Sequence, residues 1–212
     1  MSDQSQQTVP RDDSRDEQYV VGVDYGTLSG RAVVVRVSDG AELGTRHLIE
    51  LGHTDIVHLA GPQEWTEARA RLRGWQDAMY AAGLRPSQHV TGDWSAASGF
   101  ELGRGIAERE DVTAVFCAND QMALGLLRAL SEAGRAVPTG PRGVSVVGFD
   151  DIPEAAYLIP PLTTVRQDFQ AVGQRAIEIL RAAIGQVPAP ERLIGAELVV
   201  RASSAAPVER TP

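Results

Sequence analysis

Thr113-Ala114-Val115-Phe116-Cys117-Ala118-Asn119-Asp120 is an apolar run of strand length that closes on an amide and a carboxylate. Val144-Ser145-Val146-Val147-Gly148-Phe149-Asp150-Asp151 repeats the pattern. Between the two, residues 120–133 show helical spacing and stop at Gly134. A strand apolar on both faces has to be covered from both sides, and a helix joining two such strands is the crossover of a parallel pair. The alternation continues on either side. Ile56–Ala60 predicts a strand ended by Gly61-Pro62, Glu64–Ala82 a helix stopped by Gly83, Gln88–Thr91 a short strand, and Ala96–Glu108 a helix. Asp168–Ile184 predicts a last helix stopped by Gly185, and Glu197–Arg201 a final strand. Together they predict an α/β fold, a parallel sheet with helices on both faces.

Composition narrows the chemistry. The chain has 212 residues, 43% hydrophobic and 23% charged, near the soluble globular norm of about 45–50% and 25%, which excludes a disordered or fibrous protein. No apolar run approaches the ~18 residues that span a membrane. The net charge is −8, so the chain as a whole lacks the basic surface with which proteins displace counterions from DNA. All 20 basic residues are Arg, which excludes lysine chemistry, from Schiff bases to a phosphate-binding lysine. The single Cys117 forms no internal disulfide and suits a reducing cytoplasm; in its apolar run it is expected to be a buried packing residue. His47, His53, His58 and His89 have no ligand spacing, so neither a metal nor a cofactor is expected.

Ligands of open parallel α/β sheets bind beyond the carboxyl ends of the strands. Asn119-Asp120 and Asp150-Asp151 therefore fall on one rim, where an amide and a carboxylate suit a hydroxylated ligand. The plainer roles are loop capping for Asn119 and Asp150 and a helix N-cap for Asp120.

At this rim the sequence resembles the LacI/GalR-type transcriptional regulators. The likeness lies in His47-Leu48-Ile49-Glu50-Leu51-Gly52-His53, Leu59-Ala60-Gly61-Pro62, Ala118-Asn119-Asp120-Gln121-Met122-Ala123-Leu124-Gly125 and Ser145-Val146-Val147-Gly148-Phe149-Asp150-Asp151. Gly92-Asp93-Trp94-Ser95, Ser98-Gly99-Phe100 and Ile159-Pro160-Pro161-Leu162-Thr163-Thr164-Val165 with Gln167-Asp168-Phe169 resemble the lactose-repressor-like subgroup. The resemblance runs from about Thr45 to Ser203. It implies a type I periplasmic-binding-protein-like fold and a sugar or small-metabolite effector bound between two subdomains. It also implies roles. Arg71 would donate a forked pair of hydrogen bonds to the effector, Trp94 would stack on a sugar face, Asn119 and Asp150 would bind hydroxyls, and Gln167 and Phe169 would close the site. Arg71 shares its helix with Arg69 and Arg73, and its plain alternative is a solvated charge; that of Trp94 is half-buried packing.

The start of the chain departs from that family. Residues 1–18 are polar and predict a disordered tail with no signal-peptide core. Tyr19–Asp24 and Arg31–Val37 predict two antiparallel strands, with turns at residues 25–30 and at Ser38-Asp39-Gly40. His47, Leu48 and Leu51 then show helical spacing closed by Gly52. Gly22-Val23-Asp24-Tyr25-Gly26-Thr27-Leu28-Ser29-Gly30-Arg31 resembles the opening hairpin of a ribulokinase, a sugar kinase whose Asp-x-Gly-Thr turn cradles a nucleotide phosphate. Asp24, Gly26 and Thr27 would be a vestigial phosphate loop.

These readings divide the chain into a tail (1–18), a ribulokinase-like hairpin (19–44), a nearly complete C-terminal sensor subdomain (45–163), a crossover helix of an otherwise missing N-terminal subdomain (164–186), a final strand (187–203) and a tail (204–212). The leading expectation is a non-enzymatic, sugar-sensing part of a regulator without its own helix-turn-helix, a truncated or fused product. Such a chain would not bind DNA alone and would form a homodimer or pair with an intact regulator. Sugar binding would be weak, in the millimolar range or absent, since one wall of the cleft is supplied. The competing expectations are a ribulokinase and a rearranged, inactive product. The apolar stripe of Asp168–Ile184 is expected to pack on strands Val20–Asp24 and Ala32–Val37.

Overall fold

A computed structural model describes residues 37–140, 142–185 and 195–208. Six strands form one sheet: β1 (Ile56–Ala60), β2 (His89–Thr91), β3 (Ala114–Cys117), β4 (Ser145–Asp150), β5 (Thr163–Gln167) and β6 (Ala196–Val199). Their order is β2-β1-β3-β4-β5-β6, parallel throughout except for the antiparallel β5–β6 pair. The strands β1, β3 and β4, mostly apolar and buried up to Asp150, occupy the centre. Ala114 and Phe116 join Ile56, Leu48, Trp75, Val147 and Phe149 on one face. Val115 and Cys117 join Val57, Leu59, Val146 and Met122 on the other. This is the period-two alternation of a strand between two layers.

One face is covered by α1 (Val37–Glu50) and α2 (Thr66–Ala81), the other by α3 (Ala96–Glu108) and α4 (Asp120–Glu132); α5 (Phe169–Gly185) follows β5. The expected α/β architecture is therefore the observed one. The helix stops were legible too. After α2, Gly83 (φ +72°) donates to the Tyr80 carbonyl and Leu84 to that of Met79, and Gly134 closes α4 with the same pair of bonds. This is a Schellman end, which favours glycine because of its positive φ.

Several expectations need correction. Ser38-Asp39-Gly40 is not a turn but the first turn of α1, and Val37 opens that helix instead of ending a strand. The reason lies in Gly40 and Gly44. Four residues apart, they share a helix face, and a Cβ on them would press on Phe149 and Phe116. They let α1 lie close on the sheet. The helix runs unbroken across the expected join at residues 44 and 45. Residues 164–167 belong to β5 and not to the expected crossover helix. The segment read as a tail from residue 204 is docked at its start: the Ser145 hydroxyl donates to the Ala205 carbonyl at 2.8 Å, and His47 Nε2 lies 2.9 Å from Ser204 Oγ. The polar tail 1–18, the hairpin strands up to residue 36 and the phosphate-loop residues Asp24, Gly26 and Thr27 lie outside the described residues. Among the described residues no helix is long and apolar enough to cross a membrane.

Candidate functional site

The strand order reverses direction between β1 and β3, because the chain leaves β1 for the outer strand β2 and then returns to β3. In such sheets the carboxyl ends on either side of the reversal splay apart and leave a crevice. Gly61 follows β1 here and Asn119 follows β3.

Arg71 enters this crevice from α2. Its side chain is 9% exposed. Nη1 donates to the Ala118 carbonyl, and Nη2 donates to Asp150 Oδ1 at 3.3 Å. The guanidinium carbon lies 3.9 Å from the Phe149 ring centroid and 5.5 Å from that of Trp94, so two aromatic faces help carry the charge. Arg71 Nε is buried with no partner. Burial pulls the guanidinium below its ordinary pKa, and Asp150 works against that pull. Burial likewise raises the Asp150 carboxyl, and Arg71 lowers it. Arginine stays protonated at neutral pH, and the site pairs one buried cation with one carboxylate.

Trp94 is held by a tightly wound turn. Asp93 Oδ1 accepts from the Ser95 amide at 2.9 Å and from its hydroxyl at 2.5 Å; Ser95 in turn caps α3 by accepting from the Ser98 amide. The Ser95 hydroxyl, ahead of the other bonds, brings Asp93 down to about 2. Trp94 takes φ +74°, and its ring covers Gly61 so closely that a Cβ there would collide with it. The Trp94 carbonyl accepts from Asn119 Nδ2 at 2.9 Å.

Asn119, not Asp120, is the N-cap of α4: its Oδ1 accepts from the Met122 amide at 2.9 Å. This corrects the expected role of Asp120, a fully buried residue in the first turn of the helix. Its carboxylate accepts from Thr164 Oγ1 at 2.6 Å and from the Ile152 amide at 3.0 Å. Burial raises it to about 6 despite those bonds. An N-cap needs extended backbone and a side chain that folds back onto the helix start, and Asn119 already supplies both.

Contacts thus join Arg71, Trp94, Asn119 and Asp150 into one group. Gln167 and Phe169 are placed on the same rim by register alone, since Asp150 pairs with Arg166 across β4 and β5. Gln167 is half-buried, and Phe169, the first residue of α5, is 59% exposed.

Sequence reasoning missed two features. His58 lies in the core of β1, stacked between Trp75 and Phe116 at centroid distances of 5.5 and 5.1 Å. Nδ1 donates to the Phe116 carbonyl at 3.0 Å, Nε2 is buried without a partner, and burial pushes the ring down to about 3. Its place in an apolar strand was the only signal. Asp151 stands in a motif of the resemblance without a role of its own. It binds Arg166 and Arg201, each at 2.6 Å. Arg201 sits in a stretch of small residues with no pattern to mark it. Among the described residues no group of three or more His, Cys, Asp or Glu side chains is placed to hold a metal. Cys117 is buried, and burial pushes its thiol well up, as expected of a packing residue. A groove of about 270 Å³ lies at the β2 edge, lined by Val57, Val90, Leu102, Ile106 and Arg109 among others; it shares no residue with the Arg71 group.

The sequence pattern of the family described as the periplasmic binding protein-like domain matches residues 45–204. The chain belongs to this family. It is 40% identical to the lactose operon repressor of Escherichia coli (strain K12) over 186 residues, 85% of this chain and 50% of that protein. The ribose operon repressor of the same strain is 37% identical, covering 76% of this chain and 49% of its own. Among solved structures, a dimeric Lac repressor with a C-terminal deletion has 42% identity and a TM-score of 0.73, over 81% of this chain and 63% of that one. A CelR–cellobiose complex has 35% identity and a TM-score of 0.73, over 80% and 53%. The described domain is thus a LacI/GalR-type effector-binding domain. The chain spans about half the length of the curated relatives it matches. The lactose operon repressor match covers more of the chain than residues 45–204, and only residues 205–212 follow, so that likeness begins upstream of Thr45. These relatives are repressors and regulators, not kinases.

Proposed function

We propose that this LacI/GalR-type domain senses a neutral, polyhydroxyl effector, a sugar, at the crevice between β1 and β3. The observation that carries the reading is the Arg71–Asp150 pair beside Trp94 at the reversal of strand order. The pair offers a fork of N–H donors and a carboxylate acceptor side by side, which matches the paired donor and acceptor of adjacent hydroxyls. Trp94 adds an aromatic face for the apolar side of a sugar ring. An anionic ligand would meet Asp150, whereas a neutral one leaves the pair balanced. Asn119 adds one free amide hydrogen and one free lone pair, its other polar capacity being used on Trp94 and Met122. Gln167 and Phe169 would meet the effector from β5 and α5.

The names of relatives point the same way: lactose and ribose operon repressors, and a regulator solved with cellobiose. In this reading the domain has no catalytic part and acts as a switch within a regulator, paired with a second copy or with an intact relative. The net charge of −8 is unfavourable for DNA over the chain as a whole, and operator contact is not part of the proposed role. Calorimetric titration of the full chain with lactose, cellobiose and ribose tests it. Saturable binding of at least one sugar, lost in both Asp150→Ala and Trp94→Ala, is expected. Binding that survives both substitutions places the ligand elsewhere and sinks the proposal.

A further inference from the structure

We propose that Asp151 is a positioning residue of this site: gripped by Arg166 and Arg201, it holds the turn that aims Asp150 at Arg71. The inference rests on the effector-site reading above and adds to it the device that sets the geometry.

Asp150 and Asp151 are consecutive non-glycine residues with φ +109° and +52°. L side chains occupy such conformations only where the surroundings over-determine them. Here both flanks of the turn are tied. Before it, Asp150 is paired in the sheet with Arg166 of β5. After it, the Ile152 amide donates to Asp120 Oδ2, and Asp120 Oδ1 is itself held by Thr164. Between the ties, each oxygen of the Asp151 carboxylate has its own cation. Arg201 Nη2 donates to Oδ1 and Arg166 Nε donates to Oδ2, both at 2.6 Å.

Each arginine is anchored a second time. Arg201 Nη1 donates to the Leu162 carbonyl at 2.7 Å, and Arg166 Nη1 reaches Glu197 of β6 at 3.4 Å. The Asp151 side chain is 8% exposed, so its charge depends on these partners instead of water. Burial is the largest influence on the carboxyl and raises it, yet the hydrogen bonds from Arg201 and Arg166 hold it below its ordinary range. By contrast, the Arg71–Asp150 contact is long, at 3.3 Å, where charge-assisted bonds between nitrogen and oxygen normally close to about 2.7–2.9 Å. A contact that loose does not lock its own geometry. The short bonds are on Asp151, one residue away, and they fix where Asp150 points.

The test is Asp151→Asn in the full chain. Asparagine keeps the shape and the tolerance of a left-handed backbone but removes the charge that the two arginines grip. Solvent exchange of the Arg71 Nε proton is followed by NMR beside that of the Val115 and Val146 amides. If the turn loses its hold, Asp150 drifts and water reaches the guanidinium. The Arg71 proton should then exchange at least about tenfold faster while the core amides stay within about threefold of wild type, since one charged hydrogen bond is worth about that factor or more. An unchanged Arg71 proton, or core amides that accelerate equally, overturns the inference; the second result would mean general loosening. Should Asp151→Asn fail to fold, Arg166→Gln at its half-exposed position is read in the same way. In parallel, any of lactose, cellobiose and ribose that wild type binds should bind the variant at least about tenfold more weakly, and equal affinity contradicts the inference. If wild type binds none of the three, the effector reading fails for these sugars while the exchange measurement still decides the role of Asp151.

Discussion

His58 has one nitrogen committed to the Phe116 carbonyl, the other without a partner, and an aromatic ring on each side. The protonated ring has no place in that sandwich. With the folded value about 3 against an ordinary 6.5, only the unfolded chain takes up the proton in between. The contribution of His58 is therefore complete above pH 6.5 and is lost as pH falls toward 3, at a rate approaching about 1.4 kcal/mol per pH unit. His58→Leu should flatten the acid limb of stability against pH, measured by urea unfolding from pH 7 to 4. An unchanged limb would mean that the ring finds a way to hold its proton. Asp120 works in the opposite sense. Its folded value, about 6, lies above the ordinary 3.8, so the folded chain binds the proton more tightly. Its contribution is complete below pH 3.8 and fades as pH rises through 6. Asparagine can accept from Ile152 and donate to Thr164, and Asp120→Asn should gain stability relative to wild type between pH 4 and 7. A constant difference across that range would contradict this. Neither role was legible in the sequence. A histidine inside an apolar strand and an aspartate at a helix start look ordinary until the strand order brings Trp75, Phe116 and Thr164 beside them. Arg71 stands out in the sequence by likeness alone, because Arg69 and Arg73 share its charge and its helix. What separates them is burial: Arg69 turns back onto the Gln63 and Glu64 carbonyls at the surface, and Arg71 points into the crevice.

Helices and strands are more legible than their joints. The runs at 56–60, 114–117 and 145–150 identify the central strands because burial on both faces favours apolar residues, with His58 and Ser145 as buried polar exceptions. Thr163–Gln167 is harder: short, following two prolines and ending in the polar pair Arg166-Gln167, it shows no clear period, and its strand state comes from pairing with β4 and β6. Gly40 misleads because glycine marks turns and close approaches alike, and only the packed sheet tells which. The same ambiguity gives a test in the second layer. A methyl at Gly99 would strike the Met122 backbone, and one at Gly125 the Ala96 carbonyl, whereas one at Gly105 meets nothing within 4 Å. Gly99→Ala and Gly125→Ala should each cost about 1–3 kcal/mol by overpacking. Gly105→Ala should gain up to about 1 kcal/mol from helix propensity. Calorimetric melting checks both: a fall in Tm at Gly105 would show that its face is not open, and no fall at Gly99 would show that α3 and α4 are not in backbone contact.

For the molecule as a whole, the alternation of elements dictates the sheet and its two helical layers, but not the strand order, and the strand order is what makes a site. The reversal between β1 and β3 gathers Arg71, Trp94, Asn119 and Asp150 from four distant stretches of sequence into a single chain of contacts. The second concavity, at the β2 edge, is mostly apolar, its Arg109 is bound to Asp111 and Gln88, and no aromatic ring lines it. NMR shift mapping with lactose, cellobiose and ribose, each titrated into the full chain, separates the two places. Saturable shifts centred on Arg71, Trp94, Asn119 and Asp150, and abolished by Asp150→Ala, are expected. Shifts centred instead on Val57, Val90, Leu102 and Arg109, or no saturable shift with any of the three sugars, would contradict the assignment of the effector site.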